Sequence, residues 1–399
     1  MTSLYVHVPF CLQKCYYCAF YSLPLKTTGK SFESEHGKIG KYLTGLEREI
    51  EFRHLEAPSG VSSLFLGGGT PTALNTQELD SLLKLIHDRF SFLSTDKDES
   101  LPIEKTVEAN PGTITRGKLA VLRHYGMNRI SLGAQSFNDN QLQIIGRIHT
   151  VDDIKLGVKL IREEKFTNLN LDLMFGLPGQ TIGDWQDTVR QAVNLTPEHI
   201  SIYGLTLEEG TPLGRQYNVN SSVMEVKPLL PDDDLQADMY EWTVSFLWTQ
   251  GYIHYEISNF AKAGFEGRHN LSYWRGNDYL GLGPGAVSCL DGVRTKNVQD
   301  IDIYIDKLSL GFRPVDDREV ESLSREQRIS EYVMLGLRTT KGIETKNFKE
   351  IFQMSIQDIY GYKLVNYIDR GILLLNEGWL KINPAYLFVS NSILQDLIL

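Results

Sequence analysis

Three cysteines near the start of the chain have the chemistry and spacing to bind an iron–sulfur cluster. Cys11, Cys15 and Cys18 form the pattern C-x3-C-x2-C in the segment CLQKCYYC. Three thiolates can bind three irons of a [4Fe–4S] cluster and leave the fourth iron without a protein ligand. A zinc site would need a fourth ligand nearby, and a disulfide framework is not expected with four cysteines in 399 residues. The triad therefore predicts a cluster whose open iron can bind a further molecule.

A glycine-rich turn follows SSLFLGG, a segment that is predicted to form a strand. The turn GGGTP contains Gly67, Gly68, Gly69, Thr70 and Pro71. Glycine lets the backbone approach a ligand closely and bind it through N–H and C=O groups. Such a turn is also found in ordinary loops, but its position after the cysteine triad favours a binding role.

Polar side chains recur in three apolar segments, at the ends of the third and fourth predicted strands and within the fifth. Glu108 lies in VEANPG, Gln135 in SLGAQSF and Asp172 in LDLMFGLPGQT. A polar side chain inside an otherwise apolar parallel strand is unfavourable unless it is paired. The backbone of a strand-end turn could satisfy each one, but their recurrence at the same end of successive strands favours a ligand site. Arg147, in IIGRIHT, offers either a fixed positive charge for a carboxylate or a salt bridge at the rim.

Short β-rich segments alternate with amphipathic helical segments in the first half of the chain. Their near-continuous apolar character is typical of parallel strands covered on both faces. Asn75 and Glu78 resemble a capping box that begins one of the helices. Six β/α units in succession predict an α/β fold, a partial (β/α)6 TIM-like barrel with its active site at the C-terminal ends of the strands. The predicted strands are 4–10, 62–68, 105–111, 129–135, 168–176 and 199–205.

A change of pattern near residue 230 predicts a second, smaller domain. A polar segment at about 215–230 is expected to link the two units, which places the domains at 1–230 and 231–399. The second domain begins with a long helix at 232–249. Ser324 with Gln327 caps a later helix, and the turn at 376–378 joins two short strands. Helices followed by a small hairpin predict an α+β, winged-helix-like module, a fold that does not by itself fix function.

Composition argues against several classes of protein. The chain has 40 Lys and Arg against 50 Asp and Glu, a formal charge of −10, which argues against a nucleic-acid binder. No segment is long and apolar enough to predict a transmembrane helix. The N-terminal MTSLYVHVPFC has neither a basic region nor a cleavable apolar stretch, so we expect no secretory or transit peptide. Because a thiol triad that binds a cluster needs a reducing compartment, we expect a cytoplasmic protein.

Taken together, the motifs resemble those of radical S-adenosylmethionine (SAM) proteins of the oxygen-independent coproporphyrinogen oxidase group. Within that group the chain is most similar to the heme chaperones of the HemW family. The resemblance runs essentially from end to end, and it implies that the partial barrel is a radical SAM barrel followed by a C-terminal domain similar to that of HemN. It rests on YVHVPFC, GGGTP, EANPG, SLGAQSF, GRIH, GLPGQT, GLTLEEGT, YEISNFA, HNLSYW and YLGLGPGA.

The resemblance implies roles for individual residues. The three cysteines of the triad would ligate the [4Fe–4S] cluster, whose open iron would chelate the amino and carboxylate groups of SAM. Tyr5, Gly68 and Glu108 would contact that SAM. A further SAM-site set described for the oxidase aligns with Tyr17, Gly69, Thr70, Gln135, Arg147, Asp172 and Thr206.

Two departures separate the chain from the oxidase. The oxidase carries C-x3-C-x2-C-x-C, and here Phe20 occupies the last position. The oxidase also has an N-terminal extension that closes over its substrate, and with the first cysteine at residue 11 we expect no such extension here.

The segment HNLSYW resembles the heme-binding motif of the HemW family. It contains His269, Asn270, Tyr273 and Trp274. An imidazole beside two aromatic rings suits a flat macrocycle that carries iron. From residue types alone, a core histidine packed among aromatic rings is the alternative. Cys289 lies far from the triad in an apolar stretch, and we interpret it as a structural thiol.

The resemblance therefore implies a heme chaperone that holds SAM on a cluster and delivers heme to apo-hemoproteins, among them respiratory enzymes at the membrane face. The expected cofactors are the [4Fe–4S] cluster, SAM and heme, and a dimer is an open alternative. A second hypothesis is an oxygen-independent coproporphyrinogen III oxidase, which would decarboxylate its substrate through a radical formed from SAM. A third is a DNA-binding regulator, but its candidate recognition helix, RISEYVMLGLR, is mixed in charge and apolar in the middle.

Overall fold

The computed structural model describes residues 2–25, 32–57, 60–93, 102–217 and 228–399. Most of the predicted linker, 218–227, lies outside the described residues. The strands are β1 Thr2–Val8, β2 Phe10–Cys11, β3 Leu23–Pro24, β4 Val61–Gly68, β5 Glu104–Ala109, β6 Arg129–Gln135, β7 Asn168–Phe175, β8 His199–Gly204, β9 Ile253–Glu256, β10 Asn259–Ala261, β11 Tyr279–Leu282, β12 Val287–Leu290, β13 Val293–Asn297, β14 Val315–Ser322, β15 Ile343–Glu344, β16 Leu373–Asn376 and β17 Trp379–Ile382. The helices are α1 Phe32–Arg53, α2 Thr76–Arg89, α3 Arg116–His124, α4 Asp139–Ile144, α5 Val151–Glu163, α6 Ile182–Asn194, α7 Pro212–Tyr217, α8 Asp233–Thr249, α9 Arg268–Trp274, α10 Ile301–Ser309, α11 Arg325–Gly336, α12 Thr345–Phe352, α13 Ile356–Asp369 and α14 Ser390–Asp396.

Six consecutive parallel strands form the centre of the molecule. They are ordered β1-β4-β5-β6-β7-β8, and each is paired in parallel with its neighbour. The α/β fold and the six predicted barrel strands are thus confirmed. The motifs for the cluster and for SAM lie at or after the C-terminal ends of these strands, where enzymes of this architecture place their sites.

Six more strands extend this sheet at both ends among the described residues. On one side β11 pairs with β1 in parallel, and β12, β13 and β14 follow in antiparallel pairing. On the other side β10 and β9 pair antiparallel beyond β8. These additions all come from residues 253–322, so that part of the chain completes the sheet.

Among the described residues, the buried apolar side chains form two large cores and one small cluster. The large core extends from Leu4 to Leu308, and a separate core extends from Ile329 to Leu397. The smaller unit contains α11 to α14 with the antiparallel sheet β15-β17-β16, so its helices and hairpin follow the predicted winged-helix-like pattern. The domains at 1–230 and 231–399 stay a prediction. The strands β11 to β14, which follow residue 230, are hydrogen-bonded into the barrel sheet, and the two large cores are separated in sequence between residues 308 and 329.

The two faces of the barrel strands differ in polarity. One face packs against helices and is apolar, as in the buried Leu4, Val6 and Val8 of β1. The other face is polar, and its side chains are joined across strands, for example from Ser63 Oγ to Ser3 Oγ (3.1 Å). Both faces of β1 and β6 are largely buried, and the polar side chains can be buried without a large penalty because they hydrogen-bond to one another.

Local signals for helix starts and turns match the sequence. The capping boxes of Asn75 with Glu78 and of Ser324 with Gln327 begin α2 and α11 as predicted. The hairpin turn between β16 and β17 has positive φ at Glu377 (50°) and at Gly378 (81°). A search of the described residues finds no helix with the length and apolar character of a membrane span.

Candidate functional site

The cysteine loop leaves β1 at the C-terminal end of the barrel. Cys11 ends β2 and is buried, whereas Cys15 and Cys18 are partly exposed. The Cys18 N–H donates to the Cys15 carbonyl (3.3 Å) and closes a tight turn. The Tyr16 N–H donates to the Ile145 carbonyl (3.0 Å), which ties the loop to the segment that follows α4. The three thiols are therefore presented on one anchored loop.

Two of the thiols accept hydrogen bonds from predicted site residues. Thr70 Oγ1 donates to Cys11 Sγ (3.5 Å), and Arg147 Nη1 donates to Cys15 Sγ (3.3 Å). Asn110 joins these two donors, because its Nδ2 donates to Thr70 Oγ1 (2.8 Å) and its Oδ1 accepts from Arg147 Nη2. Arg147 thus points toward the thiols rather than forming the alternative salt bridge at the rim, and its guanidinium offsets the negative charge of a thiolate.

The donor chemistry fits an iron–sulfur cluster. Burial raises the pKa of the Cys11 and Cys18 thiols, so their thiolate forms need a positive partner such as iron. Among the described residues, no three His, Cys, Asp or Glu side chains are grouped closely enough for one metal ion. A [4Fe–4S] cluster places each thiolate on a different iron and does not require such close grouping.

The glycine run approaches β1 at van der Waals distance. The Gly69 N–H donates to the Val8 carbonyl (2.9 Å), and a Cβ on Gly69 would lie 2.6 Å from the Phe10 carbonyl oxygen. Gly68 has φ of +100°, and a Cβ there would lie 2.3 Å from Nδ1 of His7. Both positions therefore require glycine, which explains the composition of the turn.

Glu108 and Asp172 lie together on the polar inner face of the barrel. The Gly68 N–H donates to Glu108 Oε2 (3.0 Å). Burial, and next the negative charge of Asp172, raises the pKa of Glu108 to about 8. Asp172 accepts from Ser131 Oγ (2.9 Å) and from Asn170 Nδ2 (2.8 Å), and burial raises its pKa as well. The pair can therefore bind a cationic or hydroxyl-bearing ligand while one or both carboxyls are protonated.

The remaining predicted SAM residues lie at different distances from this centre. Gln135 is buried and ends β6, where the pairing with β7 shifts register. Its φ of +68° is a strained conformation, and such irregularities are common at the rims of barrels. Tyr17 lies beside Cys18 in the cysteine loop, and burial raises the pKa of its hydroxyl. Thr206 lies on an exposed loop after β8, so the structure does not bring it into the network around the thiols.

A cavity of about 540 Å³ opens beside the cysteine loop. Its walls include Tyr5 and Phe65 from the barrel and Phe20 from the loop after the third cysteine. Tyr273 and Tyr279 complete a predominantly aromatic lining. Cavities of this size bind ligands as large as cofactors.

His269 forms part of the cavity wall and is held by polar contacts. Its Nδ1 hydrogen-bonds Ser63 Oγ (2.8 Å), and its backbone N–H donates to Glu104 Oε1 (3.0 Å). Phe65 stacks on the imidazole with ring centroids 5.1 Å apart, and Tyr273 meets it edge-on, also at 5.1 Å. Nε2 is buried and has no hydrogen-bond partner among the described residues. Burial lowers the pKa of His269 to about 3, so the ring is neutral and Nε2 can act as a metal ligand.

The rest of the HNLSYW segment is divided between the cavity and the protein interior. Asn270 and Tyr273 line the cavity. Trp274 is not part of the lining, and its Nε1 is buried without a partner in the described part of the chain. The structure therefore brings three of the four predicted heme residues to one cavity.

Several residues of the site were missed by sequence reasoning. Asn110 follows Glu108 by two positions in VEANPG. Because side chains two positions apart in a strand lie on the same face, this spacing could have identified Asn110. His7 follows Tyr5 by the same spacing and was detectable in the same way. Ser63 and Glu104 carry no motif, and their contacts with His269 depend on pairing between segments far apart in the chain.

Comparisons with known proteins agree with this geometry. Residues 5–192 match the model of the Radical SAM superfamily, and residues 323–388 match that of the HemN C-terminal domain. The second match begins between the two hydrophobic cores.

Relatives match over most of the chain. The heme chaperone HemW of Bacillus subtilis (strain 168) is 36% identical over 380 residues, which cover 95% of this chain and 94% of that protein. The heme chaperone HemW of Escherichia coli (strain K12) is 38% identical over 284 residues, 71% of this chain and 69% of that protein. A solved structure of coproporphyrinogen III oxidase (HemN) from Escherichia coli, a radical SAM enzyme, has a TM-score of 0.81 at 24% identity and covers 100% of this chain and 90% of that one. The last similarity shows the fold.

Proposed function

The chain belongs to the radical SAM superfamily and, within it, to the family of the heme chaperone HemW, and we propose from this membership that it binds heme and transfers it to acceptor hemoproteins. In this proposal the [4Fe–4S] cluster and SAM occupy the C-terminal end of the barrel, and heme occupies the adjacent aromatic cavity. The two sites share β1, whose Tyr5 and His7 line the cavity.

The proposed roles at the cluster follow from the contacts of each side chain. Cys11, Cys15 and Cys18 would hold three irons, and Arg147 would donate to the Cys15 sulfur. Gly68 would admit SAM to the open iron, and Glu108 would accept hydrogen bonds from it. When bound, the cluster supplies a single electron to SAM.

The observation that carries the heme proposal is the unpartnered Nε2 of a neutral histidine in the wall of an aromatic cavity. A buried polar atom without a partner is unfavourable, and a metal would satisfy it. Nε2 is covered in this structure, so ligation requires the neighbouring side chains to move. The aromatic walls would contact the faces and edges of a macrocycle.

The rival function is oxidative decarboxylation of coproporphyrinogen III. The fold is common to both functions and does not separate them. Phe20 supports the chaperone proposal: its side chain is 71% exposed at the cavity, and it cannot supply the thiolate that the oxidase carries at this position.

The decisive experiment is a titration of the cluster-loaded protein with heme, followed by visible spectroscopy. We expect a Soret shift in the wild type that is diminished in His269→Ala and kept in His124→Ala, which changes an exposed histidine on α3. The same preparation, given SAM, a reductant and coproporphyrinogen III, should form no protoporphyrinogen, and it should transfer heme to an apo-acceptor. Decarboxylation with heme spectra indifferent to His269 would overturn the proposal. The nature of the acceptors, an association into dimers and a cytoplasmic location stay predictions.

A further inference from the structure

The cavity has one positive charge among its lining residues in the described part of the chain. The lining includes Lys296 and Gln299 but no other Lys or Arg, and it includes no Asp or Glu. Burial lowers the pKa of both lining histidines, His7 and His269, which are therefore neutral near pH 7. A single ammonium in an otherwise aromatic and neutral cavity offers a binding partner for an anionic group on a flat apolar ligand.

Lys296 differs from the other cation on the same face of β13. Arg294 precedes it by two positions and pairs with Glu321 (3.0 Å) and with Glu331. Its charge is therefore neutralised by the protein. The side chain of Lys296 makes no hydrogen bond or ion pair within the described ranges, so its ammonium is available to a ligand.

The backbone that carries Lys296 is fixed by a buried polar network. The next residue, Asn297, is buried, and its Nδ2 donates to Glu49 Oε1 (2.6 Å) and to the Gly283 carbonyl (2.9 Å). Across the hairpin, Lys296 pairs with Val287, which also lines the cavity. Because side chains alternate along a strand, the anchored Asn297 directs Lys296 to the cavity face.

We propose that Lys296 binds a propionate carboxylate of heme and makes the cavity selective for macrocycles with free carboxylates. This assignment rests on the proposed function, because it takes heme as the occupant of the cavity. The aromatic walls would contact the ring whatever its side chains are, whereas Lys296 would distinguish an acid from its ester. A charge-assisted hydrogen bond is stronger than a neutral one, and its loss should be measurable.

The test uses the full-length, cluster-loaded protein and two probes, iron(III) protoporphyrin IX and its dimethyl ester, in the same detergent-containing buffer. We expect Lys296→Gln to bind the free acid about tenfold more weakly than the wild type, the size expected for the loss of one hydrogen bond to a charged group. Its affinity for the ester should change by less than about twofold. Lys296→Arg should retain most of the affinity for the acid, and Lys155→Gln, which removes an exposed charge on α5, should have no effect.

Each outcome separates this assignment from the function on which it rests. A wild type that binds no heme would refute both. Heme binding by the wild type with unchanged affinity for the acid in Lys296→Gln would refute the assignment alone. An equal loss for acid and ester in that variant would also overturn it, because it would show that Lys296 only shapes the wall. Thermal unfolding of each variant verifies that it folds.

Discussion

Glu108 should release a proton when SAM binds. Its carboxyl accepts the N–H of Gly68 and lies near Asp172, and its pKa is raised to about 8, first by burial and then by the negative charge of Asp172. SAM carries a positive sulfonium and hydroxyl donors, both of which favour the ionised carboxylate. Binding should therefore lower the pKa of Glu108 and displace its proton to the solvent.

The size of the effect follows from this pKa. With a value of about 8, roughly one-tenth of the Glu108 carboxyls are ionised at pH 7 and about half at pH 8. If SAM binds the ionised form, its affinity should rise about fivefold more in the wild type than in Glu108→Gln between these pH values, and by less than about twofold more from pH 8 to pH 9. The proton released at Glu108 should be about nine-tenths per SAM at pH 7 and about half at pH 8.

The assay is anaerobic titration calorimetry of SAM into the cluster-loaded protein, in buffers of different ionisation enthalpy. Chelation of the SAM amino group to iron also releases a proton, so the measured quantity is the difference between the wild type and Glu108→Gln. Glu47→Gln, which removes an exposed carboxylate on α1, serves as the matched control and should behave as the wild type. Glu108→Gln should bind SAM more weakly and lose the fivefold dependence on pH.

Equal proton release by the wild type and Glu108→Gln would refute this reasoning. So would an affinity that falls between pH 7 and pH 8, since the carboxylate becomes more abundant over that interval. Weaker SAM binding in Glu108→Gln with an unchanged pH profile would place the residue at the site but contradict its raised pKa.

Three further predictions test the cluster, the glycine turn and the pH dependence of folding. Replacing any one cysteine of the triad by Ser should abolish the expected four irons per chain, measured by iron and sulfide analysis. Cys289→Ser should retain all four irons. Loss of iron in Cys289→Ser would show that the cluster ligands are misassigned. Gly68→Ala places a Cβ 2.3 Å from Nδ1 of His7 at a φ of +100°. SAM affinity should therefore fall at least about tenfold, with cluster content unchanged. Gly37→Ala, whose Cβ meets nothing within 4 Å, should match the wild type. Burial raises the pKa of Glu256 to about 7, so between about pH 4.5 and 7 the native state holds a proton that the unfolded state has lost. The free energy of unfolding should therefore fall as pH rises through that window, by on the order of 3 kcal/mol from this group. Denaturant unfolding of Glu256→Gln should show a flatter dependence of this free energy on pH.

The parallel barrel could be predicted because each of its parts has a local signal. β-rich segments, helix periodicity and capping boxes at Asn75 and Ser324 depend on residues a few positions apart. The flanking strands have no such signal: β14, with the sequence VDDREVES, is charged and mostly exposed. Its pairing is decided by β13 and not by its own pattern, because β propensity depends on cross-strand neighbours.

The predicted site divides along a similar line. Glu108, near the end of β5, and Asp172, within β7, could be identified because polar groups interrupt apolar segments. Thr206 was carried over from a motif, and the structure leaves it on an exposed loop. Ser63 and Lys296 could not be identified, because only the tertiary structure brings them to the cavity wall.

The shared strand β1 decides which variants can separate the two proposed sites. Tyr5 Oη and His7 Nδ1 are hydrogen-bonded (3.0 Å), and both rings line the cavity. Gly68 approaches the imidazole so closely that no Cβ fits between them. Gly283, which directly follows β11, would place a Cβ 2.4 Å from the His7 carbonyl oxygen. The imidazole has little room to move, so a substitution at either ring changes the walls of both sites at once. Variants at Tyr5 or His7 therefore cannot distinguish loss of SAM from loss of heme.

Residues one layer away from β1 can make that distinction. Glu108 touches the glycine turn and is absent from the cavity lining, whereas Lys296 lines the cavity and has no contact with the turn among the described residues. If the proposals hold, Glu108→Gln should alter SAM binding with heme affinity retained, and Lys296→Gln should do the reverse. The two side chains lie on different elements and share no partner among the described residues. The double variant should therefore show the SAM affinity of Glu108→Gln and the heme affinity of Lys296→Gln. A larger or smaller combined effect would show that occupancy of one site is transmitted to the other through the β1 rings.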